Sequence, residues 1–405
     1  MADDRERAAR VALTWLAEPG SRIVWSLVEE HGAPEALDRL VRGVVESKAI
    51  QAAVRQHEAD LEPRRLRELT VGRARQLGAR IVVPSDEEWP RRVDSLATLS
   101  LEGKGRILED VRPPLCLWVR GAWPLGETLE RSVAVVGARA ATGYGTHVSG
   151  EIAFGLAEKG WTVVSGGAFG IDAAAHRAAM AADGRTVAVL ACGVDRPYPA
   201  GNSAMFERIA ETGLLISEWP PGAEPLRHRF LIRNRVIAAA TVGTVMVEAA
   251  ARSGAAQTLS RVLALNRTAM VVPGPVTSAV SVGCHELLRE RPEAILVTGA
   301  GHVLEAVGRI GEYLADPPRG PAHPRDALDE ESALVLEAVP RRGTASPEEL
   351  AAKAGVDLRT VLRRLSLLEV AGLVERRGAA GVALTRARAS PRPCPEDEAP
   401  PDWHG

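Results

Sequence analysis

The chain has 405 residues, 46% of them hydrophobic and 25% charged, with a formal net charge of −2. This length and composition are typical of a soluble protein with about two or three domains, and the balanced charge excludes a uniformly basic nucleic-acid-binding protein, so any such role must rest on local patches. The four cysteines lack C-x-x-C spacing, which argues against a zinc site and against a disulfide framework. The N-terminus is charged, and no run of apolar residues is long enough to span a membrane. The sequence therefore predicts a cytoplasmic protein with no signal peptide and no membrane span.

Residues 1–78 are predicted to form a small helical domain. Apolar residues recur there at helical spacing, beginning with Val11, Leu13 and Leu16, and turns at Pro19-Gly20 and from His31 to Pro34 separate the helices. The pattern is typical of helix-hairpin-helix or sterile-alpha-motif-like domains. The Pro19-Gly20 turn could hold a DNA phosphate, although such helix connections are more commonly structural.

A strand, a glycine loop, a helix, a second strand and a second glycine loop follow one another between Ser132 and Asp172. The apolar run Val133 to Val136 precedes a loop with Arg139, and the run Trp161 to Val164 ends at Ser165-Gly166-Gly167. This βαβ pattern predicts a Rossmann-like sheet with both loops at the carboxyl ends of parallel strands, where such sheets bind ligands. Because glycines let the backbone approach a phosphate and Arg139 is a planar donor, the stretch predicts a phosphate-binding site.

The same alternation extends over residues 79–315 and predicts one α/β domain with a mostly parallel sheet covered on both faces. Ile81 to Val83 and Leu115 to Val119 are predicted as strands that lead into it. The later predicted strands are Thr186 to Leu190, Leu214 to Ile216, Val242 to Val247, Ala269 to Val272 and Ile295 to Val297. The predicted helices between them include Asp172 to Ala182, Ser203 to Thr212, Phe230 to Ala240, Ala256 to Leu265 and His302 to Leu314.

A proline-rich linker, 316–326, is predicted to separate this domain from a C-terminal one. Between 327 and 388, three helices and a hairpin follow one another in the order of a winged helix-turn-helix, whose third helix and wing could contact duplex DNA. The arginines in those places are Arg359, Arg363, Arg364, Arg376 and Arg377. Because the segment also carries many carboxylates, duplex contact and a protein-interaction or autoregulatory role both remain open. The tail, 389–405, is predicted to be disordered.

The strongest local charge cluster runs from Arg227 to Arg235 and surrounds one aromatic residue, Phe230. A protein that binds single-stranded nucleic acid requires arginines that neutralise phosphates and, beside them, an aromatic ring that stacks on a base. The alternative is that Phe230 packs in the core and the arginines pair with Glu218 or Glu248. Together with Arg139 and the glycine loops, the cluster favours DNA contact.

Little in the sequence indicates catalysis. Asp172 and His176 are one helical turn apart and could form an acid–base pair, but Asp172 is better suited to capping its helix and His176 to packing beneath the loop. The sequence has no G-x-S-x-G motif, no complete Walker A motif and no set of metal ligands. We therefore expect no catalytic residue, no metal and no cofactor.

Together, the motifs of the α/β domain resemble those of the DNA-processing protein A family, also called DprA or Smf. The resemblance covers the whole domain, and the number and order of the motifs make it specific. The matching motifs are Val133 to Arg139, Ser165 to Asp172 with His176, Gly193 to Asp195 with Tyr198-Pro199 and Asn202, Ser217-Glu218, Phe230 with Arg233 to Arg235, Val247 to Ala249 with Ser253-Gly254, and Pro273-Gly274. The helical N-terminal domain and the winged helix also resemble the arrangement in many members.

The resemblance implies a homodimeric, non-catalytic protein that binds single-stranded DNA in natural transformation, shields incoming strands from nucleases and helps to load the RecA recombinase. It also implies that Arg139 and Arg227 contact phosphates and that Phe230 stacks on a base. The implied DNA-binding residues are Arg139, Ser165, Gly166, Gly167, Phe169, Gly170, Arg227, Phe230, Arg233, Asn234 and Arg235.

The sequence departs from the family pattern at several positions. Phe169 stands where many members carry Arg or Lys, which removes a charge but offers a stacking face, and Ala200 stands where a basic residue is frequent. The segment 253–258 and the pair Cys284-His285 also differ from the usual residues. These departures bear on affinity and on the list of contacts rather than on the family.

Two other functions are compatible with parts of the sequence. Gly243 to Glu248 resembles the G-T-x-x-E element of phosphoribohydrolase-like nucleotide-hydrolysing enzymes, but the glycines that precede it in their P-G-G-x-G-T loop are absent. A winged-helix regulator with a nucleotide-sensing domain would instead require tight, sequence-specific duplex binding through Arg359, Arg363 and Arg364.

Overall fold

The structure is a computed structural model that describes residues 4–61, 65–66, 68, 72–99, 111–251, 253–313, 328–378 and 381–385. The chain divides into two compact units, Met1–Asp316 and Pro317–Gly405. The predicted linker 316–326 and tail 389–405, with Cys394, lie outside the described residues. The finer division of the first unit at residue 78 remains a prediction.

A sheet of nine strands lies at the centre of the described part of the first unit. Its strands are β1 (Ala79–Val82), β2 (Leu117–Arg120), β3 (Ser132–Val136), β4 (Thr162–Ser165), β5 (Thr186–Leu190), β6 (Leu214–Ser217), β7 (Gly243–Met246), β8 (Thr268–Val271) and β9 (Ile295–Leu296). Their order is β1-β2-β6-β5-β4-β3-β7-β8-β9. Neighbours from β6 to β9 pair in parallel, whereas β2 is antiparallel to both β1 and β6. The predicted mostly parallel sheet is therefore confirmed.

Helices precede the sheet and alternate with its strands. In the first unit they are α1 (Asp4–Leu16), α2 (Arg22–His31), α3 (Ala33–Val41), α4 (Lys48–Gln56), α5 (Arg73–Gln76), α6 (Leu125–Glu130), α7 (Gly143–Glu158), α8 (Ile171–Ala181), α9 (Ser203–Thr212), α10 (Arg227–Ala240), α11 (Gly254–Ala264), α12 (Val282–Glu290) and α13 (Ala300–Val307). Short 3₁₀ helices lie at Arg91–Thr98, Ala200–Asn202 and Ala279–Ser281. No helix in the described ranges is both long and apolar enough to cross a membrane.

The core has two layers because the central strands are apolar on both faces. Val133 and Val135 of β3 pack with residues of α7, α8 and α13, whereas Ala134 and Val136 pack with residues of α10, α11 and α12. Side chains alternate between faces along a strand, so a continuous apolar run is what a strand covered on both sides requires. The N-terminal helices have a core of their own, and Val11 of α1 also packs in one cluster with residues of β1 and β2.

The strand order reverses at β3, and this reversal positions the candidate site. From β3 the chain proceeds to β4, β5 and β6 on one side, and then crosses back to add β7 on the other side. The loops that follow β3 and β7 therefore diverge and leave a crevice at their carboxyl ends, where open α/β sheets bind ligands. The crossing element is α10, whose first turn lies at this edge.

The described residues of the second unit, 328–378 and 381–385, form three helices followed by a hairpin. They are α14 (Glu330–Ala338), α15 (Pro347–Ala354), α16 (Leu358–Val370), β10 (Val374–Arg377) and β11 (Gly381–Leu384). A capping box between Ser346 and Glu349 fixes the start of α15, and Asp357 caps α16. This order of elements is the predicted one, and the assignment as a winged helix remains a prediction.

Candidate nucleic-acid interface

A cavity of about 760 Å³ opens at the reversal between β3 and β7. Its walls come from the loop after β3, the loop after β4, the first turns of α10 and the start of α11. The lining residues that the sequence singles out are Arg139, Arg227, Phe230, Arg233 and Asn234, and the others include Ala168, Asp172, Tyr198, Pro225 and Ser253. The structure therefore brings together the glycine loops and the arginine cluster, which are far apart in the sequence. We call this space the switch-point cavity.

A buried carboxylate holds the loop after β3 in place. Glu248, which follows β7, is 1% exposed and accepts hydrogen bonds from the Thr142 backbone N–H at 2.9 Å and the Thr142 hydroxyl at 2.5 Å. Thr142 in turn caps α7 by accepting from the Gly145 N–H. A β-carbon at Gly145 would lie 2.1 Å from a Glu248 oxygen, so the helix start and the carboxylate require a glycine there. Both sides of the crevice are thus tied together beneath the cavity.

The loop after β4 is fixed by Asp172 and by two glycines with positive φ. The Asp172 carboxylate accepts from the backbone N–H groups of Gly166 and Ala168 at 3.1 and 3.3 Å. Gly170 has φ 77°, and a β-carbon on it would lie 2.3 Å from the Ala138 carbonyl oxygen. Gly167 has φ 73° and lies directly against the buried Phe206 ring. The predicted glycine loop is therefore a rigid, closely packed wall rather than a free phosphate loop.

At the rim, an arginine lies over an aromatic ring. The Arg139 guanidinium carbon is 5.0 Å from the centroid of the Phe230 ring, a cation–π arrangement. The Tyr198 ring is 5.8 Å from Phe230 and tilted by 59°. Within the described part of the chain Arg139 has no carboxylate partner, and Arg227, which is also exposed, has none either. Both positive charges therefore face the cavity without being neutralised.

The next basic residues of α10 turn away from the cavity. Arg229 binds Glu18, in the connection between α1 and α2, with its Nη2 2.7 Å from the carboxylate. The Trp219 indole N–H donates to the same carboxylate at 2.8 Å. Glu18 directly precedes the Pro19-Gly20 turn, so here this turn region contacts α10.

Arg233 and Arg235, which the resemblance implies as DNA-binding residues, are both buried. Arg233 is 5% exposed, donates to the Gly166 carbonyl at 3.0 Å and also contacts the Val189 carbonyl. Burial lowers the pKa of Arg233 to about 10, so it remains charged at neutral pH. Arg235 is fully buried and lies 2.6 Å from Glu218. Arg233 thus supports the floor of the cavity, and Arg235 lies in the core, as the alternative with Glu218 anticipated.

The residues that could have formed an acid–base pair are also buried and occupied. His176 is 0% exposed, and its Nδ1 lies 2.7 Å from the Thr186 hydroxyl. Burial lowers the pKa of His176 to about 3, so its imidazole is neutral. Burial raises the pKa of Asp172, and the nearby Arg233 opposes that shift. Across the described ranges, no cluster of three or more His, Cys, Asp or Glu residues could hold a metal ion.

Other predicted residues have distinct places. The Ser165 hydroxyl donates to the Val135 carbonyl at 2.6 Å inside the sheet, and the Asn234 side chain accepts from Arg233. Phe169 is 51% exposed. Three residues that line the cavity or fix the segments around it were not singled out as site residues from the sequence: Tyr198, Glu248 and Glu18. Tyr198 could have been found from its position in the Tyr198-Pro199 motif, whereas nothing in the pattern indicated the contact made by Glu18.

In the second unit, most of the arginines proposed for duplex contact are paired with carboxylates. Arg364 lies 2.7 Å from Asp329 and 2.6 Å from Glu331. The remaining pairs are Arg363 with Glu331, Arg376 with Glu369 and Arg377 with Glu375. Arg359 is exposed and has no ion pair with another described residue. The arrangement leaves little uncompensated positive charge on this face.

Comparison with known proteins places this geometry among DNA-processing proteins. A family model described as DNA recombination-mediator protein A matches residues 80–308. A Mycobacterium tuberculosis protein named as a DNA processing protein, DprA, is 48% identical over 364 residues, which is 90% of this chain and 90% of the relative. Protein Smf of Escherichia coli is 33% identical over 257 residues, 63% of this chain and 68% of the relative. The X-ray structure of DNA processing protein A from Streptococcus pneumoniae matches with a TM-score of 0.59 at 26% identity, covering 78% of this chain and 100% of that one.

Proposed function

Because the chain belongs to the DNA recombination-mediator protein A family, we propose that it binds single-stranded DNA at the switch-point cavity and acts in DNA processing as a binding protein rather than as an enzyme. The observation that carries this proposal is the pair formed by Arg139 and Phe230, 5.0 Å apart at the cavity rim. A guanidinium neutralises a phosphate, and an adjacent ring stacks on a base. The pair therefore supplies both contacts that binding of a single strand requires, one to the backbone and one to a base.

The size of the cavity and the position of its charges favour a single strand, whose bases are exposed, over a duplex. The cavity is a crevice of about 760 Å³, which has room for an unstacked nucleotide but not for a double helix. Arg227 lies in the first turn of α10, where the helix dipole adds positive potential. The positive charges thus lie beside an aromatic surface rather than along a groove-reading helix.

The polar groups beneath the cavity support binding rather than catalysis. Asp172 is engaged by two backbone N–H groups, His176 is buried and neutral, and Glu248 is engaged by Thr142. A general acid or base must reach the substrate and titrate near the working pH. Each of these groups instead has a partner within the protein, which gives it a positioning role.

The wider role rests on the family resemblance. In this proposal the protein is a cytoplasmic homodimer that shields incoming single strands from nucleases and helps to load the RecA recombinase during natural transformation. For the second unit, the paired arginines favour a protein-interaction or autoregulatory role over duplex contact.

A titration with labelled oligo-dT and with a duplex of equal length tests the proposal. We expect the full chain to bind oligo-dT more tightly than the duplex, with affinity that falls steeply as salt is added. Arg139→Ala and Phe230→Ala should each weaken binding, whereas Arg91→Ala, an exposed arginine outside the cavity lining, should not. Wild-type affinity in both cavity variants would contradict the assignment of the site.

Incubation of the same preparation with nucleoside monophosphates tests the enzymatic alternative. We expect no free base to be released, because the glycine loop of the hydrolysing enzymes is absent before Gly243. Release at a rate that scales with protein concentration would support that alternative instead.

A further inference from the structure

Two exposed aromatic side chains lie in the loops around the switch-point cavity, which Tyr198 lines directly and Phe169 borders through its neighbour Ala168. Phe169, in the loop after β4, is 51% exposed, and Tyr198, in the loop after β5, is 47% exposed. The chain has four Phe and three Tyr residues, and three of these seven, Phe169, Tyr198 and Phe230, lie in segments at this one edge of the sheet. Exposed aromatic surface is unfavourable in water, so its concentration at one place indicates a binding function.

The geometry leaves Phe230 less accessible than its neighbours. The Arg139 guanidinium covers part of its ring at 5.0 Å, and the tilted Tyr198 ring lies 5.8 Å away on another side. A base that stacks on Phe230 must share that ring with Arg139. Tyr198 and Phe169 offer more open ring surface, since about half of each side chain is in contact with solvent.

The two loops that carry these rings are tied to each other. The Asn202 amide donates to the Gly167 carbonyl at 3.0 Å, which joins the turn after Tyr198 to the loop of Phe169. Phe169 also packs against Gly201, where a β-carbon would lie 3.0 Å from the tip of the ring. Rings held in place before binding lose little conformational freedom when a ligand stacks on them.

We propose that Tyr198 and Phe169 form a second platform for a DNA base beside Phe230, an inference that rests on the single-strand binding proposed above. On this platform a base is held by ring contact alone, while Arg139 holds the phosphate backbone at the adjacent position. Many family members carry a basic residue at the position of Phe169. In this protein the position would therefore contact a base instead of a phosphate. The affinity of this protein for DNA therefore depends more on contacts with bases than the affinity of a site that contacts only phosphates.

Abasic DNA separates the two kinds of contact. Affinity is measured for oligo-dT and for the same strand with its central bases removed, using wild type, Tyr198→Ala, Phe169→Ala and Arg139→Ala. We expect Tyr198→Ala and Phe169→Ala each to weaken oligo-dT binding about fivefold or more, the range of one base–aromatic stack, and to change abasic binding less than about twofold. Arg139→Ala should weaken binding to both strands.

Matched variants keep the result interpretable. Tyr198→Phe retains the ring and should bind as wild type, and Phe154→Ala, which removes a 39% exposed ring from α7 outside the cavity lining, should have no effect. If the alanine variants do not fold, as judged by thermal unfolding, Tyr198→Leu and Phe169→Leu keep the apolar volume without the ring. Unchanged oligo-dT affinity in the folded variants, or an equal loss on both strands, would overturn the second platform. Failure of the wild-type protein to bind oligo-dT at all would instead overturn the proposed function.

Discussion

The arginines at the rim of the switch-point cavity differ in electrostatic environment from those proposed for duplex contact in the C-terminal unit. At the cavity rim, Arg139 and Arg227 have no carboxylate partner among the described residues, and Arg139 lies over an aromatic ring. In the C-terminal unit, Arg364 contacts two carboxylates, and Arg363 and Arg376 contact one each. Arginine content alone therefore does not identify a nucleic-acid site, because only the uncompensated charges attract phosphate.

A third environment lies beneath the cavity. Arg235 is buried with Glu218 as its ion-pair partner, and two of its nitrogens, Nε and Nη1, have no hydrogen-bond partner among the described residues. Arg233 is buried against backbone carbonyls. The four arginines of α10 thus have three different roles within three helical turns. Mutations in these environments should differ in the size of their effect.

The buried pair should give the largest effect, and on stability rather than on binding. Glu218→Ala leaves the Arg235 charge buried without a counter-charge, which we expect to lower the free energy of unfolding by about 3–5 kcal/mol. Chemical denaturation measures this loss. The double variant Glu218→Met with Arg235→Met should lose less than the single variant, and a larger loss in the double variant would show that the pair itself stabilises the core.

Below the cavity, His176 should make stability depend on pH. The pKa of His176 is lowered by burial to about 3 from an ordinary value of 6.5, so between these values the unfolded chain binds a proton that the folded protein excludes. The contribution of His176 to the free energy of unfolding is therefore fully present above pH 6.5. Below that pH it falls by up to about 1.4 kcal/mol per pH unit.

Denaturation of wild type and His176→Gln between pH 7 and about 5 measures this slope, because the raised pKa values of the buried Asp172 and Glu218 carboxyl groups are common to both proteins. The difference in unfolding free energy between the two proteins should shrink as the pH falls. A difference that is constant over this range would contradict the buried neutral state of His176.

The uncompensated arginines should give an intermediate effect on DNA binding. Arg139→Ala and Arg227→Ala should each weaken oligo-dT binding about tenfold and reduce the steepness of its logarithmic salt dependence by about 0.7, the contribution of one phosphate contact. Arg363→Ala and Arg376→Ala serve as matched controls with paired arginines, and should change affinity less than about twofold. An equal loss in both pairs of variants would remove the distinction between the two regions.

The smallest effect should come from releasing a paired arginine in the C-terminal unit. Glu331→Gln removes the carboxylate that contacts Arg363 and Arg364, so duplex affinity should increase by a few-fold at low salt and return to the wild-type value at high salt. Electrophoretic or fluorescence titration with duplex DNA measures it. If affinity does not change at any salt concentration, pairing is not what limits duplex binding by this unit.

The sequence predicted the architecture well where local pattern and fold agree. The runs Thr186–Leu190 and Ser203–Thr212 have the predicted bounds, because an apolar β-branched run and a helical repeat are fixed by their own residues. The start of α10 was less accurate. The helix begins at Arg227 rather than at Phe230, since no cap residue marks its first turn and the charged residues there resemble a loop.

By itself, the sequence determined the alternating α/β fold, its glycine loops and a family whose motifs surround Arg139 and Phe230. Only the tertiary structure decided which arginines are available to a ligand. Arg227, Arg229, Arg233 and Arg235 have the same chemistry, yet one is exposed, one binds Glu18 and two are buried. Their environments depend on Glu18 and Glu218, on other segments of the chain, and on the rotation of α10 over the sheet. Such long-range contacts are set by packing, so the pattern of a single segment does not contain them.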